Sequence, residues 1–410
     1  MQAEQEVRAT ELGFLPDDPG FVANPYPVYE RLREDHPVLY DDATNHWLVS
    51  RWADVNSLLR DRRFGRTYLH LATHEEMGHA PDPPHLDPFW HLIRSGILDM
   101  EPPDHTRVRR LVSKAFTPKT VEQLKPSVES IVLRLVEDVR GTGEFDLISR
   151  VAEPLPVEII AEMLGVPESE RHHLRPWSAE ICLMYELNPS PEYERRAVTA
   201  SVEFTEFLRE LARDRRRTPR DDLITRLTQV VDDGRTLSED ELVGTCVLLL
   251  NAGHEATVNA TGNGWWALFR NSDQLERLRG DQSLLPRTVE ELLRYDTPLQ
   301  MFERWVLEDV EIHGHRIPRG AELGLLFGSA NHDPSVFADP WELDLGRDPN
   351  PHVTFGAGIH FCLGAPLARV ELETSLRTLL ENVPDMELVA EPQWKPGYII
   401  RGLEALHVRG

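Results

Sequence analysis

The stretch Phe355-Gly356-Ala357-Gly358-Ile359-His360-Phe361-Cys362-Leu363-Gly364 decides how this chain is read. A strand-like Val353-Thr354-Phe355 leads in, and Pro366 follows where proline is tolerated, in the first turn of a helix. That helix is expected to run on through Leu367, Val370, Leu372 and Leu376. Cys362 then lies just upstream of a helix N-terminus, where the dipole and free N–H groups favour an anionic thiolate. The glycines let backbone N–H groups approach sulfur, and such hydrogen bonds tune a bound metal. Other uses of the stretch fit less well. A dinucleotide loop needs a third glycine where Phe361 stands. A zinc site needs two or three more ligands, and only His360 and His352 are close in sequence. A buried structural cysteine leaves the glycines unexplained.

Composition narrows the classes open to the chain. Its 410 residues can bury a large core and allow one large catalytic domain, 1–410. A formal net charge of −25 disfavours nucleic acid, because phosphates require a basic face. The three cysteines, Cys182, Cys246 and Cys362, form no CxxC pair and suggest neither a disulfide framework nor a cysteine-rich zinc site. No apolar run approaches the roughly eighteen residues of a membrane span. Met1–Gly20 lacks the basic-then-apolar order of a secretory signal, so a cytoplasmic chain is expected. The Pro-rich stretch Pro81–Pro88 reads as part of a long functional loop rather than a domain linker.

Helical patterns dominate from Pro102 to Arg279. Strand-like patches occur at Trp47–Val49, Val306–Ile317, Leu323–Phe327 and Tyr398–Ile400. The fold class is therefore mainly α with small β-sheets. One helix stands out. Ser238 and Glu241 make a capping-box start, and apolar residues continue to Trp265, Trp266 and Phe269. Roughly thirty residues at about 1.5 Å each cross a domain. Its middle is apolar on nearly every side, against which Asn251, Gly253, His254 and Glu255 are anomalies. A buried carboxylate is costly unless paired or used. Two readings stay open: a packing glycine beside a satisfied polar group, or a helix opened beside a site.

The cysteine loop resembles the haem-binding signature of the cytochrome P-450 superfamily, and every position of that signature matches. The resemblance implies haem b as cofactor, with Cys362 as the axial thiolate, Phe355, Gly356 and Gly364 shaping its loop, and His360 reaching a propionate. It also implies the family fold, with haem between the long helix and the cysteine loop. Other segments agree in order along the chain. Glu291–Arg294 is the family's Glu-x-x-Arg pair and implies a structural salt bridge completed by Arg347. Taken alone that pattern says little, since it recurs at Glu30–Arg33, Glu137–Arg140 and elsewhere. His105 and Arg109 are four apart on one helix face and match a propionate-binding pair, with Arg304 as a third contact. Asn24-Pro25-Tyr26-Pro27 and Asn331-His332-Asp333-Pro334 resemble further landmarks.

The resemblance implies a monooxygenase acting on a small to medium hydrophobic substrate with O2. Electrons are expected from a separate ferredoxin and its reductase, because no such module is left over. His105–Lys119 contains five Lys or Arg and no acid, and suits docking of an acidic ferredoxin. A monomer is expected. Ala252-Gly253-His254-Glu255-Ala256-Thr257 matches the oxygen-binding stretch, with one departure. Glu255 supplies the acid, but Ala256 stands where threonine is usual, and Thr257 is rotated about 100° away. In most members that hydroxyl helps deliver protons, a general-acid role. Ordered water or a substrate hydroxyl is the expected replacement. No basic residue other than His254 lies in the stretch, which disfavours a peroxygenase. Substrate is expected near Leu248, Asn251, Ala252, Leu299 and Phe302, under the loop Arg66–Leu98, with Asn251 offering a hydrogen bond. A haem-binding sensor or electron carrier is the alternative, against which Glu255 beside Gly253 argues.

Overall fold

A computed structural model describes residues 7–410, so the first six residues of the acidic N-terminal stretch lie outside the described residues. The elements that position the site are seven helices and one sheet. The helices are α1 (Asp87–Arg94), α2 (Asp104–Ala115), α3 (Pro154–Leu164), α4 (Leu174–Cys182), α5 (Glu239–Arg270), α6 (Leu285–Tyr295) and α7 (Ala365–Asn382). The strands are β1 (Val38–Asp41), β2 (His46–Val49), β3 (Phe64–Gly65), β4 (Met301–Val306) and β5 (Glu322–Leu326).

Helix α5 is the long helix expected, and its start is the expected capping box. Ser238 Oγ accepts from Glu241 N at 3.1 Å, and Glu241 Oε2 accepts from Ser238 N at 2.8 Å. It runs unbroken for 32 residues. Gly253 does not open it: a Cβ there would lie 2.6 Å from Ile160 Cδ1, so the glycine lets α3 pack close. The main apolar core collects around α5, drawing Val247, Leu250 and Leu268 together with Ile160 on α3 and Leu376 on α7. No described helix is long and apolar enough to cross a membrane.

The sheet has the order β1-β2-β5-β4-β3, with β2 parallel to β5 and the other pairs antiparallel. Sequence patterning located β2 and β5 but missed β1 and most of β4. Val353–Phe355 is no strand, since Thr354 and Phe355 lie in a turn, and Tyr398–Ile400 contributes only an isolated bridge from Ile400 to Leu299. Pro81–Pro88 runs directly into α1, where Pro88 takes the second helical position, so the expected long loop is partly helical.

Candidate haem-thiolate site

The cysteine loop is held by bonds from four parts of the chain. Asn331 donates from Nδ2 to Thr354 Oγ1 at 2.9 Å, and its Oδ1 accepts from Val353 N at 2.9 Å. Thr354 Oγ1 donates in turn to the Leu293 carbonyl on α6 at 2.8 Å. Cys362 N closes the loop on the Phe355 carbonyl at 2.9 Å, and Arg109 Nη2 on α2 donates to the Phe361 carbonyl at 2.7 Å. Gly358 has φ +70°, and a Cβ there would sit 2.4 Å from the Leu59 carbonyl oxygen. Only glycine satisfies both conditions.

Sγ of Cys362 faces the start of α7. Burial pushes the thiol up, while the Gly364 N–H, Arg109, the Ala365 N–H and Arg369 draw it down. The N–H groups at the helix start thus favour the thiolate, as the sequence suggested, against the opposing effect of burial. A bound metal ion, which deprotonates a coordinating thiol outright, would complete the ionisation.

Glu291 and Arg294 are fully buried on α6 and joined by two bonds, at 2.7 and 2.8 Å. Arg347 Nε reaches both carboxylate oxygens at 3.1 Å, completing the expected network. Its link to the cysteine loop is visible: Arg294 Nη1 donates to the Asn331 carbonyl at 3.0 Å, and the Asn331 side chain holds the loop.

A second cluster is basic and buried. The His105 and His360 rings lie 4.4 Å apart, His105 Nε2 has no hydrogen-bond partner, and burial lowers the His105 pKa to about 4. Arg304 is 2% exposed and donates Nη1 to the Glu303 carbonyl at 2.9 Å. Burial, then Arg66 nearby, lower its pKa to about 9. A guanidinium has five donors, and this buried one gives a single hydrogen bond to protein, so it fits an acceptor-rich anion. The orphaned His105 nitrogen points the same way, and these residues fit the two propionates of haem.

Sequence reasoning missed three neighbours. Glu101 Oε1 lies 3.1 Å from His360 Nε2, so His360 has a protein partner. Arg66 bonds the Glu303 carbonyl and Asp99. Arg66 and Arg304 both place their guanidinium carbon 4.6 Å from the Phe302 ring centre, which ties Phe302 to the basic cluster as well as to the expected substrate region.

On α5, Ala252 is exposed and Leu248, Leu249, Gly253, Glu255 and Ala256 are partly so, in the middle of a helix otherwise open mainly at its two ends. Leu248, Ala252, Glu255 and Ala256 follow the i, i+4, i+7, i+8 spacing of one face. Thr257 is 5% exposed and off this face, so it does not replace the hydroxyl missing at Ala256. Asn251 lies at the edge of the face, 2% exposed, with both amide atoms unpaired. Glu255 is held from the far end of the chain: Lys395 Nζ is 3.4 Å from its Oε2. Leu299 is partly exposed beside Ile400. The basic run His105–Lys119 is largely spent internally. Arg107 pairs with Glu241, Arg110 with Asp232 at 3.1 Å, and Lys114 with Asp232.

Known proteins resemble this chain over most of its length. The sequence profile of the family Cytochrome P450 matches residues 173–384. Cytochrome P450 107B1 of Saccharopolyspora erythraea is 40% identical over 418 aligned positions, covering 97% of this chain and 98% of that one. Polyketide biosynthesis cytochrome P450 PksS of Bacillus subtilis is 36% identical over 97% of this chain and 98% of its own. Among solved structures, P450BioI in complex with an acyl carrier protein carrying hexadec-9Z-enoic acid superposes with a TM-score of 0.89. It is 35% identical over 95% of this chain and 99% of that chain. With its family profile, its near-full-length relatives and a matching fold, this chain belongs to the cytochrome P450 family and is a haem b-dependent monooxygenase.

Proposed function

We propose that the chain, as one catalytic unit, hydroxylates or epoxidises a small to medium hydrophobic organic substrate with electrons from a separate ferredoxin system. The observation that carries this reading is Cys362 Sγ set against the Gly364 and Ala365 N–H groups, with the buried basic cluster beside its loop. Haem held by a thiolate supplies O2 activation and the insertion of one oxygen atom into substrate. Cys362 would ligate the iron. Phe355, Gly356 and Gly364 would shape the seat, and His105, Arg109, Arg304 and His360 would hold the propionates, His360 by exchanging its Glu101 partner.

The stripe Leu248, Ala252 and Ala256 would present an apolar wall to substrate, with Leu299 and Phe302 beside it. Glu255 is the acid on that face, and the Lys395 ammonium orients its carboxylate. Ala256 leaves the usual alcohol position empty of a donor, so water or a substrate hydroxyl would carry the proton there. Among relatives, 6-deoxyerythronolide B hydroxylase is 37% identical, and a neighbouring structure of 32% identity is a complex with testosterone. Those names favour polycyclic or macrocyclic substrates. An electron carrier without turnover is disfavoured by Glu255 on the uncovered face of α5.

The test is spectroscopic. The ferrous carbon-monoxide complex should show the strongly red-shifted Soret band of thiolate ligation, lost in Cys362→His. Macrolactones, steroids, fatty acids and terpenoids are then screened for a substrate-induced spin shift. An unshifted Soret band, or a haem-free protein, overturns the reading.

A further inference from the structure

The sheet face opposite Arg304 and Phe302 carries a cluster that oxygenase chemistry does not use. His46 on β2 pairs in register with Glu322 on β5, and Glu322 with Trp305 on β4. Glu303 lies two residues from Trp305, so all of these side chains emerge on one face. His46 is 7% exposed. Its Nδ1 lies 2.7 Å from the Thr44 carbonyl, a bond that needs the proton on Nδ1 and leaves the lone pair on Nε2. Nε2 is buried without a hydrogen-bond partner. It is aimed at Glu322 Oε2, 3.5 Å away, and Glu303 Oε1, 3.8 Å away.

Three acceptor atoms thus converge within 4.8 Å of one another with no donor among them. Arg66 meets only the other oxygen of Glu303, so what bridges the three atoms themselves is a proton or a metal ion. A proton would draw imidazole and carboxylate to about 2.7–2.9 Å, which neither contact shows. Two ligands of one tetrahedral ion, each at about 2.1 Å, stand about 3.4 Å apart. The 3.5 Å contact is of that size. Both glutamates are partly exposed, leaving room for water as a further ligand. One imidazole and two carboxylates suit a borderline transition ion better than magnesium or calcium. The Nδ1–carbonyl bond is the outer support that metal-binding histidines usually have. Arg66 Nη1 approaches the other oxygen of Glu303 at 3.7 Å, so Oε1 stays free for an ion.

We propose that His46, Glu303 and Glu322 bind one divalent transition-metal ion of the zinc class, clamping β2, β5 and β4 together behind the basic cluster. The test uses untagged holoprotein stripped with a chelator, exposed to zinc chloride and gel-filtered, with zinc and iron counted together. Wild type should retain one zinc per haem iron. His46→Gln and, separately, Glu322→Gln should retain less than a tenth of that, with the haem Soret band unchanged. Zinc should also raise the melting temperature of wild type and not of the variants. If a variant loses haem, cadmium-113 resonance of the wild type decides: a shift typical of mixed nitrogen–oxygen donors supports the site, and a sulfur-type shift overturns it. Wild type retaining no zinc, or variants retaining as much as wild type, overturns the proposal.

Discussion

Replacing Arg304 by Met should separate the stability of the chain from its hold on haem. Burial, then Arg66 nearby, pull the Arg304 guanidinium down to about 9, so the bare protein accommodates this charge poorly. At roughly 1.4 kcal/mol per pKa unit, that is about 5 kcal/mol favouring loss of the charge. The haem-free variant is therefore expected to unfold at the same urea concentration as wild type or higher, although a buried residue has been changed. In the holoprotein the sign reverses. A propionate left without its buried partner costs about 3–5 kcal/mol, which predicts haem loss at least about a hundredfold faster. Transfer of haem to apomyoglobin, followed at the Soret band, measures this. A loss rate within about twofold of wild type, or a clear destabilisation of the haem-free variant, refutes the assignment of Arg304 to an anion seat.

Three further outcomes are expected. Ala256→Thr restores a hydroxyl on the uncovered face of α5 and should lower the hydrogen peroxide released per reduced nicotinamide consumed. If wild type is already tightly coupled with a substrate lacking any hydroxyl, substrate assistance is ruled out. Gly358→Ala forces a left-handed residue costing roughly 1–2 kcal/mol and drives a methyl into the Leu59 carbonyl. The purified protein should carry little haem, and a full complement with an unaltered carbon-monoxide spectrum contradicts this. Glu371 on α7 is buried, with Oε2 unpaired, and burial raises its pKa to about 8. Its proton leaves the unfolded chain near pH 4.5 and the folded chain near pH 8. The unfolded state therefore holds fewer protons between these values, and stability falls as pH rises, by up to about 5 kcal/mol. Glu371→Gln should flatten that slope in urea titrations at stepped pH; an unchanged slope sinks the assignment.

Features encoded within a few residues were legible in the sequence. The Ser238–Glu241 cap and the Glu291–Arg294 pair each depend on neighbours one turn away, and each has its expected geometry. Pairings across long separations were not. Nothing near Glu255 announces Lys395, 140 residues on, and nothing near His360 announces Glu101. The basic run after His105 read as a free patch because the acids that neutralise it, Asp232 and Glu241, come from other elements. Gly253 carried two readings locally, and only Ile160 on a different helix decided between them.

Within the cysteine loop, every hydrogen bond from Asn331, Thr354, Arg109 and the Cys362 amide uses backbone or side-chain atoms other than Sγ. Scaffold and reactivity are thus separable variables in this protein. Cys362→Ser would exchange the atom at the tip of residue 362 for oxygen and leave each of these bonds its partners. That makes the chain a frame in which the electronic contribution of sulfur can be compared with other donors at constant architecture.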